Sequence, residues 1–148
     1  MNQNPTYIIL ADDDEDDRMF FADAFKELKI NTKISLMNDG VVLMDHLENN
    51  DAVLPNVIFL DLNMPKKSGM ECLKEIKLNP KWKDIAIAIY STSASEEDIE
   101  ETFVQGANIY IKKPNDFKTL KKVLEDVVTI NWQYQTSNLN RDNFLLRL

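Results

Sequence analysis

Five short apolar runs, at residues 7–11, 33–37, 57–60, 85–90 and 109–112, alternate with longer segments whose apolar residues recur every three or four positions. This alternation constrains the fold more than any other feature of the chain. Runs such as VIFL and IAIAIY have no polar face, so they suit strands covered on both sides. Between them, Phe21, Phe25 and Leu28 make one stripe, and Leu43 and Leu47 a second. Met70, Leu73 and Ile76 make a third, Ile99 and Phe103 a fourth, and Phe117, Leu120, Leu124 and Val127 a fifth. Strand followed by helix, repeated along the chain, predicts a parallel sheet with helices on both faces. Right-handed crossovers make the doubly wound arrangement the default. A length of 148 residues with 44% hydrophobic content suits one domain with its own core.

Local signals mark several helix ends. Ser95 with Asp98 three residues on reads as a capping box, with Asp in place of Glu or Gln. Asn38-Asp39-Gly40 reads as a turn or cap before the second helix, and Gly106 as a C-cap glycine after the fourth.

Sheets of this kind bind ligands beyond the carboxyl ends of their strands, near the point where strand order reverses. Asp12 and Asp13 follow the first apolar run, Asp61 the third, Ser91 the fourth and Lys113 the fifth. The second run delivers nothing comparable, which fits an edge strand. Asp12 also opens a block of six acidic residues ending at Asp17. Like charges about 4 Å apart repel by roughly 4 kcal/mol at an effective dielectric of 20. Three carboxylates meeting at one pole therefore need a counter-ion, and a divalent cation is the simplest. Magnesium prefers hard oxygen ligands and often sits beside phosphate. Asp14, Glu15, Asp16 and Asp17 have a duller role, at a helix start where the dipole favours negative charge. On the block alone, a solvated acidic loop fits as well.

The formal net charge of −8 argues against a nucleic-acid surface, since backbone phosphates would be repelled. No apolar run approaches the ~20 residues of a membrane span, and the N-terminus has no basic region or long apolar stretch of a signal peptide. A single cysteine, Cys72, excludes an internal disulfide framework and a cysteine-built zinc site. Together these features predict a cytoplasmic protein.

A second motif narrows the reading. Asp61 is followed by Pro65 and Gly69, four and eight residues on, in a segment reading DLNMPKKSG. With Asp12-Asp13, Ser91-Thr92 and Lys113-Pro114 after their strands, in order, the chain resembles the receiver domain of two-component response regulators. The likeness covers about residues 5–130. The long third loop and the tail also resemble the stand-alone receivers associated with phytochrome-type kinases. The resemblance implies a flavodoxin-like, five-stranded parallel sheet of order 2-1-3-4-5. It implies that Asp61 accepts a phosphoryl group from a sensor histidine kinase or phosphotransfer protein. Asp13 and Asp61 would bind Mg²⁺ directly, Asp12 largely through water, and the backbone carbonyl of Asn63 would add a ligand. Lys113 would pair with Asp61 before transfer and with the phosphoryl group after it, and the Lys113–Pro114 peptide would be cis. Ser91 would donate its hydroxyl to the phosphoryl group, with Thr92 the weaker candidate. Tyr110 would be the aromatic switch, its ring turning inward when Ser91 moves, and helix four, strand five and helix five would form the readout face. Asn63 and Ser93 flank the phosphoryl site in family terms. Ala11 and Tyr90 depart from the usual large and aliphatic residues. His46, Cys72, Lys66 and Lys67 read as structural or solvated residues.

On this reading residues 1–130 form the receiver, and residues 131–148 a C-terminal extension without an output domain. Trp132, Tyr134, Phe144, Leu145 and Leu146 would dock it on the domain or on a second subunit, so a homodimer is an option. The protein would act by switching its binding face toward an unidentified downstream protein, catalysing only its own modification. Two alternatives stay open: a Mg-dependent phosphohydrolase with an Asp nucleophile, and a receiver-like scaffold that is never phosphorylated. The first is weakened by Asn63, where hydrolases resembling the haloacid dehalogenase class carry a second Asp. A flavodoxin-like cofactor binder would need a phosphate-cradling loop. The three glycines, Gly40, Gly69 and Gly106, do not cluster into one.

Overall fold

The computed structural model describes residues 5–49, 51–129 and 145–146. Strands and helices alternate as β1 (Thr6–Ala11), α1 (Glu15–Glu27), β2 (Thr32–Met37), α2 (Gly40–Glu48), β3 (Val57–Leu60) and α3 (Gly69–Leu78). They continue as β4 (Ala86–Ser91), α4 (Glu96–Val104), β5 (Ile109–Lys112), α5 (Phe117–Thr129) and β6 (Leu145–Leu146). The first five strands are parallel in the order 2-1-3-4-5, as expected, with β2 at the edge. Two features lie outside the sequence reading. Ser91 is the last residue of β4 rather than the first beyond it. The sheet also gains β6, which pairs in parallel with β5 through Tyr110↔Leu145 and Ile111↔Leu146. Of the expected C-terminal extension, Trp132, Tyr134 and Phe144 lie outside the described residues.

Side chains alternate across each strand, so one sheet feeds two cores. Ile9, Ala11, Ile58, Leu60, Ile87 and Ile89 enter a layer with Leu43, Leu47, Leu73, Ile76 and Ile99 from α2, α3 and α4. Ile8, Leu10, Phe59 and Ala88 enter the opposite layer with Phe21, Phe25, Leu120, Leu124 and Val127 from α1 and α5. Each fully buried aliphatic or Phe side chain contributes about 1.5–3 kcal/mol relative to exposure. Phe20 and Phe117 seal α1 against α5, with ring centroids 5.1 Å apart.

The helix ends follow local chemistry. Asp14, Asp39, Ser68 and Ser95 are N-caps, and each side chain accepts a backbone N–H of the first turn. The reciprocal capping box forms at Ser68 and Glu71, not at Ser95. At Ser95 the Asp98 N–H donates to Oγ at 3.1 Å, but the Asp98 carboxylate accepts from Ser93 Oγ instead. Asp is one methylene shorter than Glu and is engaged elsewhere. Gly106 follows α4 with φ 99°, where glycine avoids the Cβ penalty. The Lys113–Pro114 peptide is trans, contrary to the resemblance; trans is the isomer that an X–Pro bond favours by about 0.5–1 kcal/mol.

Candidate functional site

Backbone hydrogen bonds gather the strand ends at the carboxyl pole of the sheet. Asp12 N–H donates to Met37 O, Asp61 N–H to Ala11 O and Lys113 N–H to Ser91 O, at 3.0, 3.0 and 2.8 Å. The Arg18 guanidinium donates to Asp12 O at 2.7 Å and fastens the first turn of α1 to the end of β1. Residues distant in the chain thus meet on backbone that the sheet holds rigid.

Lys113 stands at the centre. Its Nζ lies 2.7 Å from Asp17 Oδ2, 2.8 Å from Asp12 Oδ2 and 3.4 Å from Asp61 Oδ2. The ammonium also lies 5.4 Å from the centroid of the buried Tyr90 ring, a cation–π distance. Burial works against the Lys113 charge, but the nearby Asp12 and Asp17 carboxylates outweigh it and hold its pKa above the usual lysine value. Burial pushes the Asp61 carboxyl up to about 6; Lys113 opposes that rise and Asp12 adds to it. Asp12, completely buried, is likewise raised by burial, against the pull of Lys113.

Three carboxylates, those of Asp12, Asp17 and Asp61, therefore face one ammonium, and the Asp13 carboxylate stands beside two of them. Asp12, Asp13 and Asp61 can each offer an oxygen, all within 4.8 Å of one another. Asp12 Oδ2 is buried and accepts no directed hydrogen bond, although the Lys113 ammonium pairs with it at 2.8 Å. An all-oxygen, excess-negative donor set with a buried oxygen lacking an aligned donor fits a hard divalent cation.

The remaining expected residues lie close by, with differences. Asn63 N–H reaches back 3.3 Å to Asp61 Oδ1. Ser91 is fully buried and its Oγ accepts Ser93 N–H at 3.1 Å. The Tyr110 ring is buried, and its hydroxyl donates to Ser93 O at 2.7 Å. Lys66 is exposed, as read, and pairs with Asp39, while Lys67 is half-buried and pairs with Glu75. His46 Nε2 lies 3.2 Å from the Tyr7 hydroxyl, and Cys72 is buried in the core.

Asp17 is the residue that sequence reasoning misplaced. It does stand in the first turn of α1, but its side chain makes the shortest contact to Lys113. Only its place one turn beyond a strand end signals this. The cation–π contact of Tyr90 has no sequence signal beyond an aromatic beside Ser91.

Comparison with known proteins places the chain in a family. The family model "Response regulator receiver domain" matches residues 8–125. Response regulator Rcp1 of Synechocystis is 33% identical over 127 residues, covering 83% of this chain and 86% of its own. The Mn²⁺-bound structure of Rcp1 superposes with a TM-score of 0.77 at 32% identity, covering 85% of this chain and 94% of that one. The structure of the phosphorylated cyanobacterial phytochrome response regulator RcpA gives 0.79 at 29% identity, covering 93% and 98%. Among the described residues, no helix is long and apolar enough to cross a membrane. The chain belongs to the receiver-domain family of two-component response regulators.

Proposed function

We propose that the protein is a phospho-acceptor switch in which Asp61 takes a phosphoryl group from the phosphohistidine of a sensor histidine kinase or phosphotransfer protein. The observation that carries this reading is the Lys113 ammonium 3.4 Å from Asp61 Oδ2, inside the Asp12, Asp13 and Asp61 cluster. The metal would be Mg²⁺, held by Asp13, Asp61 and the Asn63 carbonyl, with Asp12 largely through water. When bound it would neutralise charge on the transferring phosphoryl oxygens.

The chain's own residues supply the rest. An ionised Asp61 oxygen attacks phosphorus, the P–N bond to the donor imidazole breaks, and the imidazole nitrogen keeps the electron pair. Lys113 turns from the carboxylate to a phosphoryl oxygen, as a compact ammonium on a flexible stem can. Ser91 donates its hydroxyl to another. Tyr110, linked to Ser91 through Ser93, passes the change to the face formed by α4, β5 and α5. A downstream protein reads that face; whether a homodimer forms is part of the same question. The product is a modified protein rather than a released metabolite, and the place of action is the cytoplasm. Residues 131–148 act as a docking or partner-binding extension to the receiver of residues 1–130; β6 pairing with Tyr110 of β5 supports that assignment.

The test is incubation with a small phosphodonor, with and without Mg²⁺, followed by intact mass. One phosphoryl group is expected only with metal, and none on Asp61→Asn. Failure with both a small donor and a cognate kinase would favour the unphosphorylated scaffold.

A further inference from the structure

We propose that Asp17 is a positioning residue for the strand-end ammonium. In the resting chain its carboxylate holds Lys113 back from Asp61, and it competes for Lys113 with any phosphoryl group built on Asp61. The second half of this statement rests on the phospho-acceptor reading; the first does not.

The distances rank the partners. Lys113 Nζ is 2.7 Å from Asp17 Oδ2 and donates a hydrogen bond to it, whereas its hydrogen bond to Asp61 Oδ2 is stretched to 3.4 Å. An ammonium has three protons, and its interaction with each acceptor weakens steeply with distance and misalignment. With the Asp12 ion pair at 2.8 Å, the resting lysine is therefore held chiefly on the side where β1 leads into α1. That side is rigid: Asp17 N–H donates to the Asp14 cap at 3.0 Å, and Arg18 ties the same turn to Asp12 O.

Burial separates the two close carboxylates. The Asp12 side chain is completely inaccessible, so abandoning it would strand a buried charge. The Asp17 side chain is 35% exposed, so water can replace the ammonium when it leaves. Asp17 is the displaceable partner of Lys113 and Asp12 the fixed one. A phosphoryl group on Asp61 adds negative charge on the far side of Lys113 and draws the ammonium across. Asp17 resists that movement, and its carboxylate sets how far Asp61 must be charged before the lysine commits. Asp16 gives the control, because it is exposed and carries the same charge in the same turn without joining the ion pairs of Lys113.

Two measurements on the full chain test this. In metal-free buffer, the ¹⁵N-labelled Lys113 ammonium, assigned by its loss in Lys113→Arg, is followed by proton exchange with water. Asp17→Asn and Asp17→Ala should speed that exchange by about 3- to 10-fold, and Asp16→Asn by less than about 2-fold. Equal rates in wild type and both Asp17 variants, or an equal effect of Asp16→Asn, overturn the proposal. Next, beryllofluoride with Mg²⁺ serves as the phosphoryl probe. Asp17→Asn should bind it about 3- to 10-fold more tightly than wild type, and Asp16→Asn should not. Faster ammonium exchange with unchanged probe affinity overturns the competition and leaves only the resting contact. A wild type that binds no probe counts against the phospho-acceptor reading, while the metal-free exchange still decides the clamp.

Discussion

Gly69 lies against the main chain of Asp61: a Cβ at residue 69 would collide with the Asp61 carbonyl oxygen and sit 2.8 Å from Leu62 Cα. Its own N–H donates to Leu62 O at 3.0 Å, closing the loop that carries Asn63. The spacing of eight residues between the two is thus a backbone requirement, since backbone cannot yield as a flexible side chain does. Gly69→Ala is expected to destabilise the fold by about 2–4 kcal/mol, within the range of overpacking and backbone strain. Urea denaturation of wild type and variant checks it; a loss below about 0.5 kcal/mol would mean that the loop can move aside.

The electrostatics of the site predict an unusual dependence of stability on pH when metal is absent. Burial raises Asp61 from 3.8 to about 6 in the folded chain. A raised carboxyl pKa contributes stability that is present in full below pH 3.8 and is lost as pH rises through about 6. This difference amounts to on the order of 2–3 kcal/mol. In EDTA, this site should make the chain less stable at pH 7 than at pH 5, and Asp61→Asn should be more stable than wild type at pH 7 with a flatter profile. Thermal melts across that range decide it. A wild type whose stability climbs from pH 5 to 7 as steeply as that of the variant would contradict it.

Divalent metal should relieve the same repulsion. A cation that binds only the folded state stabilises it by about 2.7 kcal/mol at 100 times its dissociation constant. Asp13 is exposed and makes no ion pair among the described residues, so Asp13→Asn should leave metal-free stability within about 0.5 kcal/mol of wild type. It should also remove most of the rise in Tm on adding Mg²⁺ or Mn²⁺. An undiminished rise would place the ion elsewhere.

Much of this molecule is legible in its sequence because strand periodicity and strand-end chemistry are local signals. Asp12, Asp13, Asp61 and Lys113 each follow an apolar run, and parallel topology alone brings such positions to one pole. Side-chain geometry across elements is not local in this sense. Asp17 reads as one acid among six, because nothing in the chain says which of them turns toward Lys113, 96 residues away. The capping box was expected at Ser95 but forms at Ser68, since Ser93 outside the helix competes for the Asp98 carboxylate. β6 escapes the reading because two leucines carry no periodicity. The buried setting of Tyr110 depends on packing from several elements, and an aromatic at one strand position does not encode it.

Ser93 joins the two halves of the region beyond β4, which makes coupling across it measurable. Its carbonyl accepts the Tyr110 hydroxyl at 2.7 Å, and its own hydroxyl donates to Asp98 Oδ2 at 3.0 Å in the first turn of α4. Tyr110→Phe removes one donor and leaves that carbonyl short of a partner, at a cost of about 1–2 kcal/mol. Asp98→Asn weakens the acceptor on the other side while keeping an oxygen in place. Because both side chains act on one residue, their effects should not add. A double-mutant cycle on stability is expected to give a coupling of about 0.5–1 kcal/mol, above the scatter seen for independent sites. If the two effects sum within about 0.3 kcal/mol, Ser93 does not connect the ring to α4, and the Tyr110 part of the proposed switch loses its route to the helix.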